Sequence, residues 1–346
     1  MAQIRSKPFG VTKEGANVTE YILSNPGGLT VSVLDYGCVI KSIIVPAKNG
    51  PVDVVVGHDT MADYEADFNS SGSTCCGAFV GRYANRIENA VFTVGGKTYK
   101  LEANNGPNHL HGCFSRKLYR VKSFGDTLLM EAESPDGEDG FPGNLKIAVR
   151  YTLTEDNAFR MDYRVSSDAD TIVNLTNHSY FNLDGGGDVL NQKLRIYASR
   201  YLEGNNQCCP TGAILPVADT PMDFTAGKLI GREIDTGFAQ TTMVGGGYDH
   251  CYVIDRARGS SQSICAWATS DKTGISMKLY TTQPGIQLYT ANFLQDCPSP
   301  GKGGKPLQKY GGFALETQHY PCSPSHPEFP STVLRAGKVF RATTTL

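Results

Sequence analysis

The chain has 346 residues, with 32 Lys and Arg against 34 Asp and Glu, a net charge of −2 and 19% charged residues. A near-neutral chain without a basic run speaks against nucleic acid or a membrane surface as the partner and favours a neutral polyol. The length suffices for a large core, and no run is long and apolar enough to span a bilayer.

The opening Met1–Lys7 segment lacks the apolar centre of a secretory signal. Ten cysteines include the adjacent pairs Cys75-Cys76 and Cys208-Cys209 and no Cys-x-x-Cys. Free thiols in a reducing compartment are therefore expected, and with them a cytoplasmic location. Of four Asn-x-Ser/Thr sequons, at Asn17, Asn69, Asn174 and Asn177, two fall in the polar stretch described below, where a glycan would obstruct it.

Short β-type runs begin with residues 29–34 and continue with 90–94, 145–153, 159–165, 193–197, 251–254, 275–280 and 285–289. Several alternate cleanly between apolar and polar residues, as half-buried antiparallel strands do. Val94-Gly-Gly-Lys97 and Glu155-Asp-Asn-Ala158 read as hairpin turns. Helical pattern is scarce: residues 60–68 and 225–234 can each hold a short helix, the second with Thr225 as N-cap. The Gly- and Pro-rich stretch 298–306 reads as a mobile loop. No repeat or linker divides the chain, so an all-β architecture in a single domain over residues 1–346 is expected.

The chemistry-bearing stretches follow in chain order. Gly81-Arg-Tyr-Ala-Asn-Arg86 offers Asn85 and the Arg86 fork, either for hydroxyl contacts or for an ion pair with Glu88. In Asn104-Asn-Gly-Pro-Asn-His-Leu-His111, His109 and His111 share a face if the segment is extended. His-x-His can ligate metal, but no convincing further ligands accompany it, and no metal site is assigned. Cys113 then faces the same way as His111. Residues 171–183 read as one extended strand, with Asn174, Thr176, His178, Tyr180 and Asn182 on a polar face. Gly245-Gly-Gly-Tyr-Asp249 delivers Asp249 to a strand, as a hydroxyl grip or a turn residue. Gln283 can read hydroxyls. In residues 310–320, Gly312 and Ala314 leave room above the backbone before Glu316, which is either a general base or a solvated charge.

In this order the pieces Gly81–Arg86, Leu110-His-Gly112, Asn177-His-Ser-Tyr-Phe-Asn-Leu183, Tyr248-Asp-His250, Gln283-Pro-Gly285, Asn292-Phe-Leu294 and Leu315-Glu-Thr-Gln318 are specific. The chain resembles the aldose 1-epimerase (galactose mutarotase) family over most of its length. The resemblance implies a large β-sandwich, the galactose mutarotase-like supersandwich, with a few short helices. It implies Glu316 as base, His178 as acid and His111 as the second histidine. Asn85, Arg86, Asp249 and Gln283 are the implied hydroxyl binders. The implied reaction interconverts anomers of a free aldohexose without cofactor or metal, in a monomer or weak homodimer. A hexose-6-phosphate 1-epimerase and a non-catalytic sugar-binding protein are the alternatives. Two departures stand out, Cys113 where the family has a second Gly and Cys322 after Pro321. With Glu316 as base and histidine as acid, a bell-shaped pH profile is expected, its lower limb from Glu316 and its upper limb from histidine.

Overall fold

The computed structural model describes residues 2–256 and 260–346. Three larger antiparallel sheets and four two-stranded ones make up the β-structure of the described residues. A five-stranded sheet runs in order from Gln3–Val11 to Val52–Asp53. A nine-stranded sheet places Leu145–Leu153 beside Phe159–Ser167 and then Val339–Thr345. A six-stranded sheet has the order Tyr180–Phe181, Phe313–Gln318, Gly285–Tyr289, Asp249–Val253, Arg200–Gly204, Pro210–Pro216.

The two larger sheets differ in burial, and the difference places the site. Leu145–Leu153 and Phe159–Ser167 bury alternate residues, as their alternating sequences require, so one face of the nine-stranded sheet packs on the core. Phe313–Gln318 is buried at every position. One face of the six-stranded sheet gives Leu288 and Leu315 to the main core, where they join Val31, Val33, Val149 and Tyr151 from the other sheets. Its other face lies under loops and carries the polar groups.

Most expected strands form with ends within two residues. Gly95 and Gly96 both take positive φ, as a tight hairpin turn needs, and Val94 pairs with Lys97. The first expected helix is α1 (Met61–Phe68), capped by the Thr60 hydroxyl accepting from the Asp63 N–H. The second does not form. Gly227 sits at φ +76°, Lys228–Leu229 pairs as a strand, and only the 3₁₀ turn Ile230–Glu233 follows. The Thr225 hydroxyl binds Asp223 rather than a helix N–H. The 298–306 loop is tethered rather than loose: Ser299 Oγ donates to Asp63 O, Lys302 Nζ meets Asp53, and Gly303 N–H reaches Asp59. No helix among the described residues is long and apolar enough to cross a membrane.

The largest correction concerns residues 171–183. They form three two-residue strands, Thr171–Ile172, Thr176–Asn177 and Tyr180–Phe181, each paired with a different partner. Asn177 breaks the run: its Oδ1 accepts from Ser179 N–H and Oγ, and its Nδ2 donates to Gly77 O. Most of the polar groups therefore serve the backbone. Asn174 donates to Ala84 O and His319 O and accepts from His319 N–H. Asn182 donates to Gly187 O and Gly311 O.

Replacing Asn174 with Ala leaves these buried backbone groups unpaired. The expected loss of stability in urea is about 2–3 kcal/mol, with KM for sugar unchanged. A loss under about 0.5 kcal/mol would show that water or relaxation satisfies them.

Candidate active site

A cleft of about 570 Å³ opens over the covered face of the six-stranded sheet. Glu316, His178, His111, Asn85, Arg86 and Asp249 all line it. That volume suits a small polar ligand.

Glu316 sits mid-strand opposite Gln287, with a side chain 2% exposed. The space left by Gly312 is filled: a Cβ there would lie 2.9 Å from Tyr180 Cβ and 3.1 Å from Val56 Cγ2. The small residue thus admits Tyr180 to the cleft wall, rather than a ligand ring as expected. Tyr180 donates its hydroxyl to Thr74 O, and its ring lies 4.9 Å from that of His178. His178 is held by its own backbone, N–H to Ala78 O at 2.8 Å and O from Gly77 N–H at 2.9 Å. Its Nε2 stands 3.5 Å from Glu316 Oε1. His178 Nδ1 and Glu316 Oε2 have no partner in the protein.

His111 and Asn85 hold each other. Both take positive φ, +64° and +61°. His111 N–H donates to Asn85 O, and Asn85 N–H donates to His111 Nδ1 at 3.2 Å. The second bond makes Nδ1 an acceptor and so puts the His111 proton on Nε2. The His111 ring stands edge-on to His178 at 5.3 Å. Arg86 donates Nε–H to Asn105 Oδ1 at 2.9 Å, and its Nη1 lies 3.9 Å from Asp249 Oδ2, so its partner is Asp249 rather than Glu88.

The structure does not bring Gln283 into this group. It is 2% exposed, donates to Leu175 O and meets His319 Nδ1 at 2.9 Å. Gln287, two positions into the next strand, donates to Asp249 Oδ1 at 2.6 Å and fixes that carboxylate. Strand alternation held the signal: Gln287 and Tyr289 share the face of Asp249, which pairs with Tyr289. His109 also lies apart. Positive φ at His111 ends the extension that would have aligned the two rings, and His109 Nδ1 instead meets Glu102 O. Cys113 packs against the core, and burial together with Asp139 pushes its thiol up. The cleft thiols are Cys75 and Cys208. Arg82 is fully buried among the carbonyls of Ser134, Pro135, Pro142 and Gly143.

Burial dominates the electrostatics. It raises the Glu316 carboxyl from 4.5 to about 8, with Asp249 adding to the rise and Arg86 opposing it. Burial also lowers His178 from 6.5 to about 4. His111 falls well below the ordinary imidazole range through burial and the neighbouring His178 and Arg86. Near pH 7 the Glu316–His178 pair is therefore neutral, holding one exchangeable proton on the carboxyl beyond the N–H of the neutral imidazole. That is the charge state for moving a proton on and off a neutral ligand. Donor atoms of His111, His178 and Glu316 also lie within 4.8 Å of one another, so these three, not His109 and His111, are the cleft's possible metal ligands.

Comparisons with known proteins identify the family. A family model described as Aldose 1-epimerase matches residues 19–346. The chain is 36% identical to a galactose mutarotase from Sus scrofa, covering 99% of this chain and 98% of that one. It is 36% identical to an aldose 1-epimerase from Escherichia coli (strain K12), covering 93% and 92%. Among solved structures, the GalM/aldose epimerase homologue from C. elegans superposes with a TM-score of 0.85 at 29% identity, over 99% of this chain and 98% of that one. With near-complete coverage and the converged carboxylate and histidines, the chain belongs to the aldose 1-epimerase family.

Proposed function

We propose that this protein interconverts the α and β anomers of free aldohexoses, D-galactose and D-glucose, by ring opening and reclosure. The observation that carries this reading is the buried Glu316–His178 pair, 3.5 Å apart, with the carboxyl raised and the imidazole lowered by burial. Opening a hexose ring removes a proton from the C1 hydroxyl and delivers one to the ring oxygen. Rotation about C1–C2 and the reverse transfers then complete the exchange. Glu316 takes the C1 hydroxyl proton and His178 gives a proton to the ring oxygen as its bond to C1 breaks and C1 becomes a carbonyl, each worth roughly 10²–10⁴-fold. In the empty cleft the proton rests on Glu316. Passing it to His178 changes no net charge, so the reactive arrangement has the same proton count as the resting one.

The remaining residues bind. His111 Nε2–H donates to the ring oxygen or a neighbouring hydroxyl. Asn85, Arg86 and Asp249 take other hydroxyls, with Gln287 holding Asp249. The reaction breaks and re-forms the bond between C1 and the ring oxygen with proton transfers alone and no change of oxidation state, so no cofactor is assigned. All ten cysteines are free, which supports a cytoplasmic setting. The whole chain is read as a single domain, acting as a monomer or weak homodimer.

The direct test is polarimetry of fresh α-D-galactose and α-D-glucose. Wild type is expected to speed mutarotation of both. Glu316→Gln is expected to cut kcat at least ~10²-fold while still binding sugar. The same substitution should change stability in a defined direction. Glu316 ionises at about 8 when folded and near 4.5 when unfolded. Between these values the unfolded chain binds fewer protons at this position, so the Glu316 contribution to stability falls as pH rises from 4.5 to 8, by on the order of a few kcal/mol. Glu316→Gln should lack that fall. Equal slopes for the two proteins would contradict the raised carboxyl.

The pH profile of kcat/KM should be bell-shaped, with limbs assigned oppositely to the expectation from sequence. The lower limb, near 4, is His178 taking a second proton, and the upper limb, near 8, is Glu316 losing its own. Residual activity of Glu316→Gln should lack the upper limb, and that of His178→Asn the lower. Loss of the upper limb in His178→Asn alone would reverse the assignment.

A further inference from the structure

A second convergence of ligating side chains lies outside the cleft. His58 stands just before α1, Asp67 lies in its last turn, and Cys297 follows the 3₁₀ turn Leu294–Asp296. One donor atom from each lies within 4.8 Å of the others. His58 and Asp67 are fully buried, and Cys297 is half-buried. None of the three lines the cleft.

The surrounding bonds are those that orient metal ligands. His58 Nδ1 lies 2.7 Å from Pro300 O, to which it donates, and so Nε2 is left to face the cluster. Asp67 accepts from Thr74 N–H at 2.8 Å on Oδ1 and from the Thr74 hydroxyl on Oδ2. His58 Nε2 and Asp67 Oδ2 are 3.3 Å apart. Nitrogen and oxygen ligands about 2.0–2.1 Å from a tetrahedral zinc ion stand about 3.3 Å from each other. With Nδ1–H committed to Pro300, Nε2 faces the Asp67 carboxylate across either a second imidazole proton or a metal ion. An ion pair through a second proton accounts for those two groups. The thiol joins that arrangement too: burial lowers His58, but Asp67, the Cys297 side chain and Pro300 outweigh it and hold the imidazole up at about 10, so a metal ion would take the place of that proton among the same three groups.

We propose that His58, Asp67 and Cys297 bind one Zn²⁺, with water in the fourth position. Nitrogen, oxygen and thiolate sulfur together suit zinc better than calcium or magnesium. On binding, Cys297 loses its thiol proton, and the proton between His58 and Asp67 leaves as well. The ion fastens the start of the 298–306 loop to the end of α1. That end runs directly into residues 69–75, one wall of the cleft, and Thr74 O holds the Tyr180 hydroxyl there. The site is therefore structural and stands apart from the proton transfers at Glu316.

The test is zinc titration by calorimetry, with bound metal measured after dialysis. It uses the full-length chain carrying His178→Asn, so that the cleft's own three donors do not compete. One zinc per chain is expected. Adding Cys297→Ser should weaken binding at least ~100-fold. With Co²⁺ as probe, a thiolate-to-cobalt absorption band should appear and vanish in Cys297→Ser. Cys297 is half-buried and serine nearly isosteric, so this variant keeps its fold even if His58→Gln does not. No zinc at one equivalent, or binding and spectra indifferent to Cys297→Ser, would overturn the proposal and leave the second proton as the cation.

Discussion

A carboxyl and an imidazole 3.5 Å apart, both shut away from water, set the terms for the rest of the molecule. Burial disfavours charge on either group, so the two settle as a neutral pair holding one exchangeable proton. Arg86 alone would pull Glu316 toward ionisation, but Asp249 beside it opposes that pull. The hydroxyl-binding groups thus also help keep the carboxyl protonated. A site of this kind costs stability. Its carboxyl is ready to exchange a proton near neutral pH because the fold withholds solvation from it.

Holding the pair in place takes backbone irregularity, satisfied locally. His178 lies between two-residue strands rather than within a long one, and Asn174, Asn177 and Asn182 bond the backbone groups that the breaks expose. Asn85 and His111 lock two positive-φ turns together through reciprocal bonds. Glu316 and Asp249, by contrast, sit on regular strands of the six-stranded sheet, where register positions them and Gln287 holds the Asp249 carboxylate. Rigid strands thus carry the carboxylates, and stapled turns carry the histidines.

The regular parts were legible in the sequence because their signal is local. Alternation in residues 145–153 and 159–165 reports a half-buried sheet, and both strands form there. Glu316, His178, His111, Asn85, Arg86 and Asp249 were found through the motif resemblance and do converge. Most of the misses trace to contact between distant segments, although Asn177 bonding Ser179 and the positive φ of His111 are local breaks. Polar alternation in 171–183 looked like a binding face, but its partners are backbone groups such as Ala84 and His319. Gln283 stood in a recognisable motif, whereas Gln287 was visible only through its register against Asp249. Gly312 left space that Tyr180 fills. A helix over 225–234 fitted the local pattern until Lys228–Leu229 paired with a remote strand.

The central claim is that the empty site keeps its proton on Glu316 at neutral pH. Infrared difference spectroscopy of the ligand-free protein, with Glu316→Gln as the reference, reads this directly. A protonated carboxyl band should be present at pH 6–7, absent from the variant, and should titrate away near 8. A Glu316 already ionised at pH 6 would contradict the account.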